Sequence, residues 1–170
     1  MKKVIIIDTS ILCAFLNVPG KETCGPAGDT WNQQRAETTF ADEEDAGTTF
    51  VLPLTSIIET GNHISQVRGD RYSYARSLAA IILKTANEET PWAAFSRQSS
   101  LWSPEKLKIL AETWPELASQ KISLGDATIK DVAELYQGLN FKVEILTADR
   151  GLKAWEPEQP REVPRRRQKR

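Results

Sequence analysis

The chain has 170 residues, 40% of them hydrophobic and 26% charged, which suits one soluble domain with a core of its own and no need of disulfides or a structural metal. Two cysteines, Cys13 and Cys24, are too few for a secreted disulfide framework and lack the spacing of structural zinc ligands. Six basic side chains against Glu162 give residues 161–170 a net +5; the remaining 16 basic and 22 acidic side chains give residues 1–160 a net −6, so any attraction for nucleic acid is local.

Val4-Ile5-Ile6-Ile7 is a β-branched run that ends in Asp8, the pattern of a strand buried on both faces in a parallel sheet. Too short to be a signal peptide or a membrane span, it makes a cytoplasmic location with reduced thiols the default. Thr9-Ser10 are predicted to cap a helix through Ile11, Leu12, Ala14, Phe15 and Leu16, closed by Asn17 and Pro19-Gly20. Residues 21–29 are Gly/Pro-rich without a period and predict a loop; residues 30–45 are weakly helical and end in an acidic run. Phe50-Val51-Leu52-Pro53 predicts a second strand. Thr55 or Ser56 is then expected to start a helix that carries Glu59 in its first turn, and a further helix covers residues 71–86.

Residues 90–102 are rich in Pro and aromatics. Ser103-Pro104 pairs a capping hydroxyl with Pro at the first helical position, and the helix meets Pro115 near its end. Ser123-Leu124-Gly125-Asp126 opens another helix, stopped by Gly138. Phe141 to Leu146 is the third strand, ending in Thr147-Ala148-Asp149, and one or two helical turns follow. After Glu156 the composition collapses to Pro, Glu and Arg, so residues 1–156 are expected to form the domain and 157–170 a basic, disordered tail.

Strands alternating with helices predict an α/β fold, in which ligands bind outside the carboxyl ends of the strands. Asp8 and Asp149 are expected at that edge. An acid directly after a buried strand neither caps that strand nor packs a core; a turn-forming Asp is the ordinary alternative. Glu59 and Asp126 fall at helix starts, where Ser56-x-x-Glu59 and Ser123-x-x-Asp126 also match capping boxes. If the first and third strands are neighbours, all four carboxylates can converge. Two carboxylates about 4 Å apart repel by roughly 4 kcal/mol at an effective dielectric of ~20. A real cluster therefore calls for protonation or a cation. Oxygen donors suit Mg²⁺ or Mn²⁺, and such ions promote phosphodiester cleavage.

With Asp8-Thr9-Ser10, Ser56 to Glu59, Ser123 to Ala127 and Thr147 to Leu152 in this order, the chain resembles a PIN-domain nuclease over residues 4–155. The resemblance implies a three-layer α/β/α fold around a mainly parallel sheet. It implies a metal-dependent ribonuclease site of Asp8, Glu59, Asp126 and Asp149 on Mg²⁺ or Mn²⁺, with Thr9, Ser10 and Thr147 as polar supports. RNA is the implied partner. Many bacterial members are VapC-type toxins with a small antitoxin, and many form homodimers. The long residues 17–49, the segment around Trp92, Phe95 and Trp102, and the Arg-rich tail depart from the compact toxin pattern.

Four secondary readings complete the set. Asn62, three residues after Glu59, and His63, four after it, can share its helical face, with a partly exposed helix position the plainer account of His63. Trp92, Phe95 and Trp102 can stack on bases or anchor loops. Arg165, Arg166 and Arg167 can contact phosphates. Two rivals stand beside the nuclease: a non-catalytic RNA- or partner-binding module whose acids are caps, and a haloacid-dehalogenase-type phosphatase, which wants a second acid where this chain has Ser10.

Overall fold

The computed structural model describes residues 1–158. Among these, the strands β1 (Lys3–Ile7), β2 (Thr49–Val51) and β3 (Lys142–Leu146) form an all-parallel sheet in the order β2-β1-β3. The first strand is thus central, paired with the last in the register Ile7↔Leu146 and with β2 through Ile6↔Val51.

Alternation along β1 splits the core. Ile5 and Ile7 join one buried cluster with α1 (Thr9–Phe15), α2 (Gln33–Asp45), α3 (Leu54–Ser65) and α4 (Arg71–Ala86). Val4 and Ile6 join the other with α6 (Leu124–Gly138), whose Ile129, Val132, Ala133 and Tyr136 recur at helical spacing. Both sheet faces are therefore covered, which explains a strand with no polar residue between Lys3 and Asp8. The layout is compatible with three layers, α/β/α.

The helix α5 (Pro104–Ser119) lies beside α6, preceded by a 3₁₀ segment, Phe95–Trp102, and the short α7 (Arg150–Lys153) follows β3. As expected, Ser103 caps α5 by accepting from Lys106 N at 3.3 Å. Pro115 lies inside α5, which runs on for another turn. Gly138 is not the residue that turns the chain after α6; Asn140 takes the left-handed conformation, φ 62°.

Two sequence expectations about caps are corrected. The cap of α1 is Asp8 rather than Thr9 or Ser10: Asp8 Oδ1 accepts from Thr9 N at 2.7 Å. The helix α3 begins at Leu54 after Pro53, without a side-chain cap, so Ser56-x-x-Glu59 is no capping box and Glu59 falls in the second turn. Ser56 is instead fully buried and donates to the Ile7 carbonyl at 2.9 Å, tying α3 to the end of β1. No helix among the described residues is long and apolar enough to cross a membrane.

Candidate functional site

Parallel pairing of β1 with β3 brings Asp8 and Thr147 together at the carboxyl edge of the sheet, where Asp8 N donates to Leu146 O at 3.1 Å. Asp8 is buried, and both of its carboxylate oxygens accept hydrogen bonds. Its Oδ2 accepts from Ser10 Oγ at 2.6 Å and from Thr147 Oγ1 at 2.8 Å, in addition to the cap bond on Oδ1. Thr147 Oγ1 in turn accepts from Asp149 N at 3.0 Å, and Ser10 Oγ accepts from Ala148 N at 3.4 Å. The two strand ends are thereby linked through Ser10 and Thr147, two of the three polar supports that the resemblance implied.

Asp149 is also a cap, for the helix that follows its strand. Its Oδ1 accepts from Gly151 N at 2.6 Å and Leu152 N at 3.1 Å at the start of α7. Asp126 does sit in a capping arrangement, with Asp126 N donating to Ser123 Oγ at 3.0 Å. Burial pushes the Asp126 carboxyl above its ordinary value, and the charges of Asp8 and Asp149 push the same way, against hydrogen bonding from Ser123. Asp126 thus feels both of the other acids.

Asp8, Asp126 and Asp149 line one open cavity of about 320 Å³, together with Ser10, Lys21 and His63. Glu59 stands at its margin rather than among its lining residues. Its Oε2 accepts from Thr9 Oγ1 at 2.8 Å, and its carboxylate lies where a Cβ on residue 125 would go. The absent side chain of Gly125 leaves the space that the Glu59 carboxylate occupies against the first turn of α6.

The four acids do not share one point. Among the described residues, no group of three or more His, Cys, Asp or Glu side chains is gathered closely enough to hold a metal ion. Their donor chemistry nonetheless fits a hard divalent cation. All four offer carboxylate oxygen, and Asp126 is raised by burial first and by Asp8 and Asp149 in addition, a charge clustering that a cation would relieve.

Other expectations divide. Asn62 is exposed and does not line the cavity, whereas His63, one residue on, does: a spacing of four, not three, keeps to the face of Glu59 here. Trp92 packs edge-on against Phe50 at a centroid distance of 5.4 Å, and Phe95 packs on the same core cluster; neither lines this cavity. Trp102 is half-buried and likewise outside it. Arg165, Arg166 and Arg167 lie outside the described residues.

Lys21 and Cys24 carried no signal in the sequence. Their aperiodic segment is held by backbone bonds between Cys24 and Trp31 (2.8 and 3.1 Å) and by Cys24 Sγ on the Ser10 carbonyl at 3.5 Å. It forms a wall of the cavity that only the folded chain displays. Comparison of the chain with protein-family models, curated proteins and solved structures gives no match.

Proposed function

We propose that the protein is a Mg²⁺- or Mn²⁺-dependent endoribonuclease of the PIN type. The observation that carries this reading is the convergence of Asp8, Asp126 and Asp149 on one cavity at the carboxyl edge of a parallel sheet, with Glu59 at its margin. Asp8, Asp126, Asp149 and Glu59 would hold the metal; when bound, it supplies charge stabilisation at a phosphate and lowers the pKa of a water. Ser10 and Thr147 hold the Asp8 carboxylate in place, and Thr9 holds Glu59. Lys21 and His63, which line the same cavity, offer N–H groups to phosphate oxygens. No side chain is needed as a covalent nucleophile. The same reading brings with it RNA as substrate, a cytoplasmic location and, through the toxin resemblance, an antitoxin partner and a homodimer.

The test is cleavage of single-stranded RNA with and without EDTA, alongside Asp8→Asn. Asn is as good a helix cap as Asp, so the variant can keep the bond from Thr9 N that starts α1 while it removes the charge and turns the oxygen that accepts from Ser10 and Thr147 into an NH2 donor. Loss of cleavage in both arms supports the site; metal-dependent cleavage that survives Asp8→Asn unchanged refutes it.

One observation favours the non-catalytic alternative: Asp8 and Asp149 both spend an oxygen on capping a helix. Calorimetric titration with Mn²⁺ separates the two. A capping-only protein shows no site that disappears in Asp149→Asn.

A further inference from the structure

We propose that a second cavity, which shares Asp126 and Asp149 with the first, is a subsite for a nucleobase of the bound strand. This rests on the nuclease reading. The cavity measures about 240 Å³ and shares both acids with the larger cleft; its remaining walls include Lys121, Ile122, Leu152 and Trp155. Pockets for whole drug-sized ligands run from about 300 Å³ upward, so this one takes a single planar unit. Apolar wall and charged rim suit a base, which has apolar faces and polar edges. Stacking on an aromatic ring is how single strands are gripped without regard to sequence.

The subsite is built rather than incidental. The α5–α6 turn that carries Lys121 is fastened by Ile122 N on Leu117 O (3.0 Å), Lys121 N on Ala118 O (2.9 Å) and Trp114 Nε1 on Ile122 O (3.3 Å). Lys121 occupies the left-handed position of that helix end, φ 64°, where Gly is the ordinary residue. Its ammonium brings positive charge to a cavity that two carboxylates would otherwise close to a polyanion. The Trp155 ring is engaged by Lys130, whose Nζ lies 5.4 Å from its centroid and which lines the α5–α6 groove instead of this cavity. Trp92, Phe95 and Trp102 are elsewhere, so Trp155 is the tryptophan that meets the acids.

The experiment follows the indole N–H signals of the full chain by NMR as adenosine or uridine 5′-monophosphate is added, the Trp155 signal being assigned with Trp155→Phe. The expected result is a shift of the Trp155 signal and a roughly tenfold loss of affinity in Lys121→Gly, in line with the worth of a stacked or phosphate-contacting group. Gly relieves the left-handed backbone, so this variant melts no lower than the parent, which separates binding from folding. With single-stranded RNA as substrate, Lys121→Gly raises KM more than it lowers kcat. An unmoved Trp155 signal, or parental affinity in Lys121→Gly, overturns the subsite even if metal-dependent cleavage is intact. Absence of cleavage with the indole shift present overturns the nuclease reading and leaves the nucleotide site standing.

Discussion

Gly125→Ala tests whether the position of Glu59 matters apart from its presence. A methyl group at residue 125 overlaps Glu59 Oε1 and touches its Cδ at 3.2 Å, so the carboxylate must retreat by roughly 1 Å to reach ordinary contact. The obstacle is the end of a flexible side chain, and backbone φ at Gly125 is not in the left-handed region. The helix therefore tolerates the substitution. What is lost is the 2.8 Å bond from Thr9 Oγ1 to Glu59 Oε2. A hydrogen bond to a charged group contributes about 1.5–3 kcal/mol, at the lower end here because the half-buried carboxylate regains water. Replacing Gly by Ala in a helix returns up to about 1 kcal/mol. The two nearly cancel, leaving a net change of about 1 kcal/mol at most, or a shift in Tm of about 2–4 °C for a chain of this size.

Activity has no such compensation. A misplacement of about 1 Å in a catalytic constellation costs on the order of a hundredfold. The expected outcome in a discontinuous RNA cleavage assay is a fall in kcat of about that size, with circular-dichroism melting nearly unchanged. Gly138→Ala is the control: nothing lies within 4 Å of its added Cβ, and cleavage should be untouched. Parental kcat in Gly125→Ala would show that the Glu59 carboxylate need not be where it is, and Glu59 would leave the site.

Three further outcomes are expected. The Asp126 carboxyl is raised by burial and by Asp8 and Asp149; the folded state holds its proton longer than the unfolded chain, so stability falls as pH rises through the interval above 3.8, the ordinary value. Asp126→Asn should accordingly raise Tm at neutral pH, lose that advantage in acid, and abolish cleavage; an equal or lower Tm at neutral pH refutes the coupling. The buried Cys13 thiol is pushed up to about 11 from 9.0. Denaturant midpoints should therefore decline as pH rises from 9.0 to about 11, and Cys13→Ala should flatten the decline. Ser56→Ala removes the donor to Ile7 O and should cost about 1 kcal/mol in chemical denaturation; no loss would mean that the α3 tether is idle.

Much of the scaffold was legible in the residues. The run Val4 to Ile7 could only be a strand covered on both faces, and its two alternating pairs do enter different core clusters. Ser103-Pro104 and Ser123 marked helix starts by cap chemistry alone. The sequence misled where one local pattern serves two physical ends. Ser56-x-x-Glu59 has capping-box spacing, but Pro53 had already begun the helix, and Ser56 was free to tie α3 to β1. Lys21, Cys24 and Lys121 escaped because no periodicity governs a turn and a lysine in the left-handed region has no sequence signature. Gly125 was readable in principle. A glycine in a helix's first turn is costly enough to imply a close neighbour, and that neighbour is Glu59.

The double duty of Asp8 and Asp149 bears on how such a site could be held open. Each begins a helix and faces the shared cavity, so the helix N–H groups and the hydroxyls of Ser10 and Thr147 offset negative charge that would otherwise repel across the sheet edge. Asp126 has fewer such donors, and it is the acid that feels the others. A cation entering the cavity would gain most at Asp126, where charge is least compensated, while Asp8 is already fixed by its bonds. Under the nuclease reading, substitution at Ser10 or Thr147 should therefore act through the position of the Asp8 carboxylate. Thr147→Val removes one of the two hydroxyls on Asp8 Oδ2 and should weaken Mn²⁺ binding without unfolding the chain. Equal Mn²⁺ affinity in Thr147→Val, measured calorimetrically, would detach the hydroxyl network from the site.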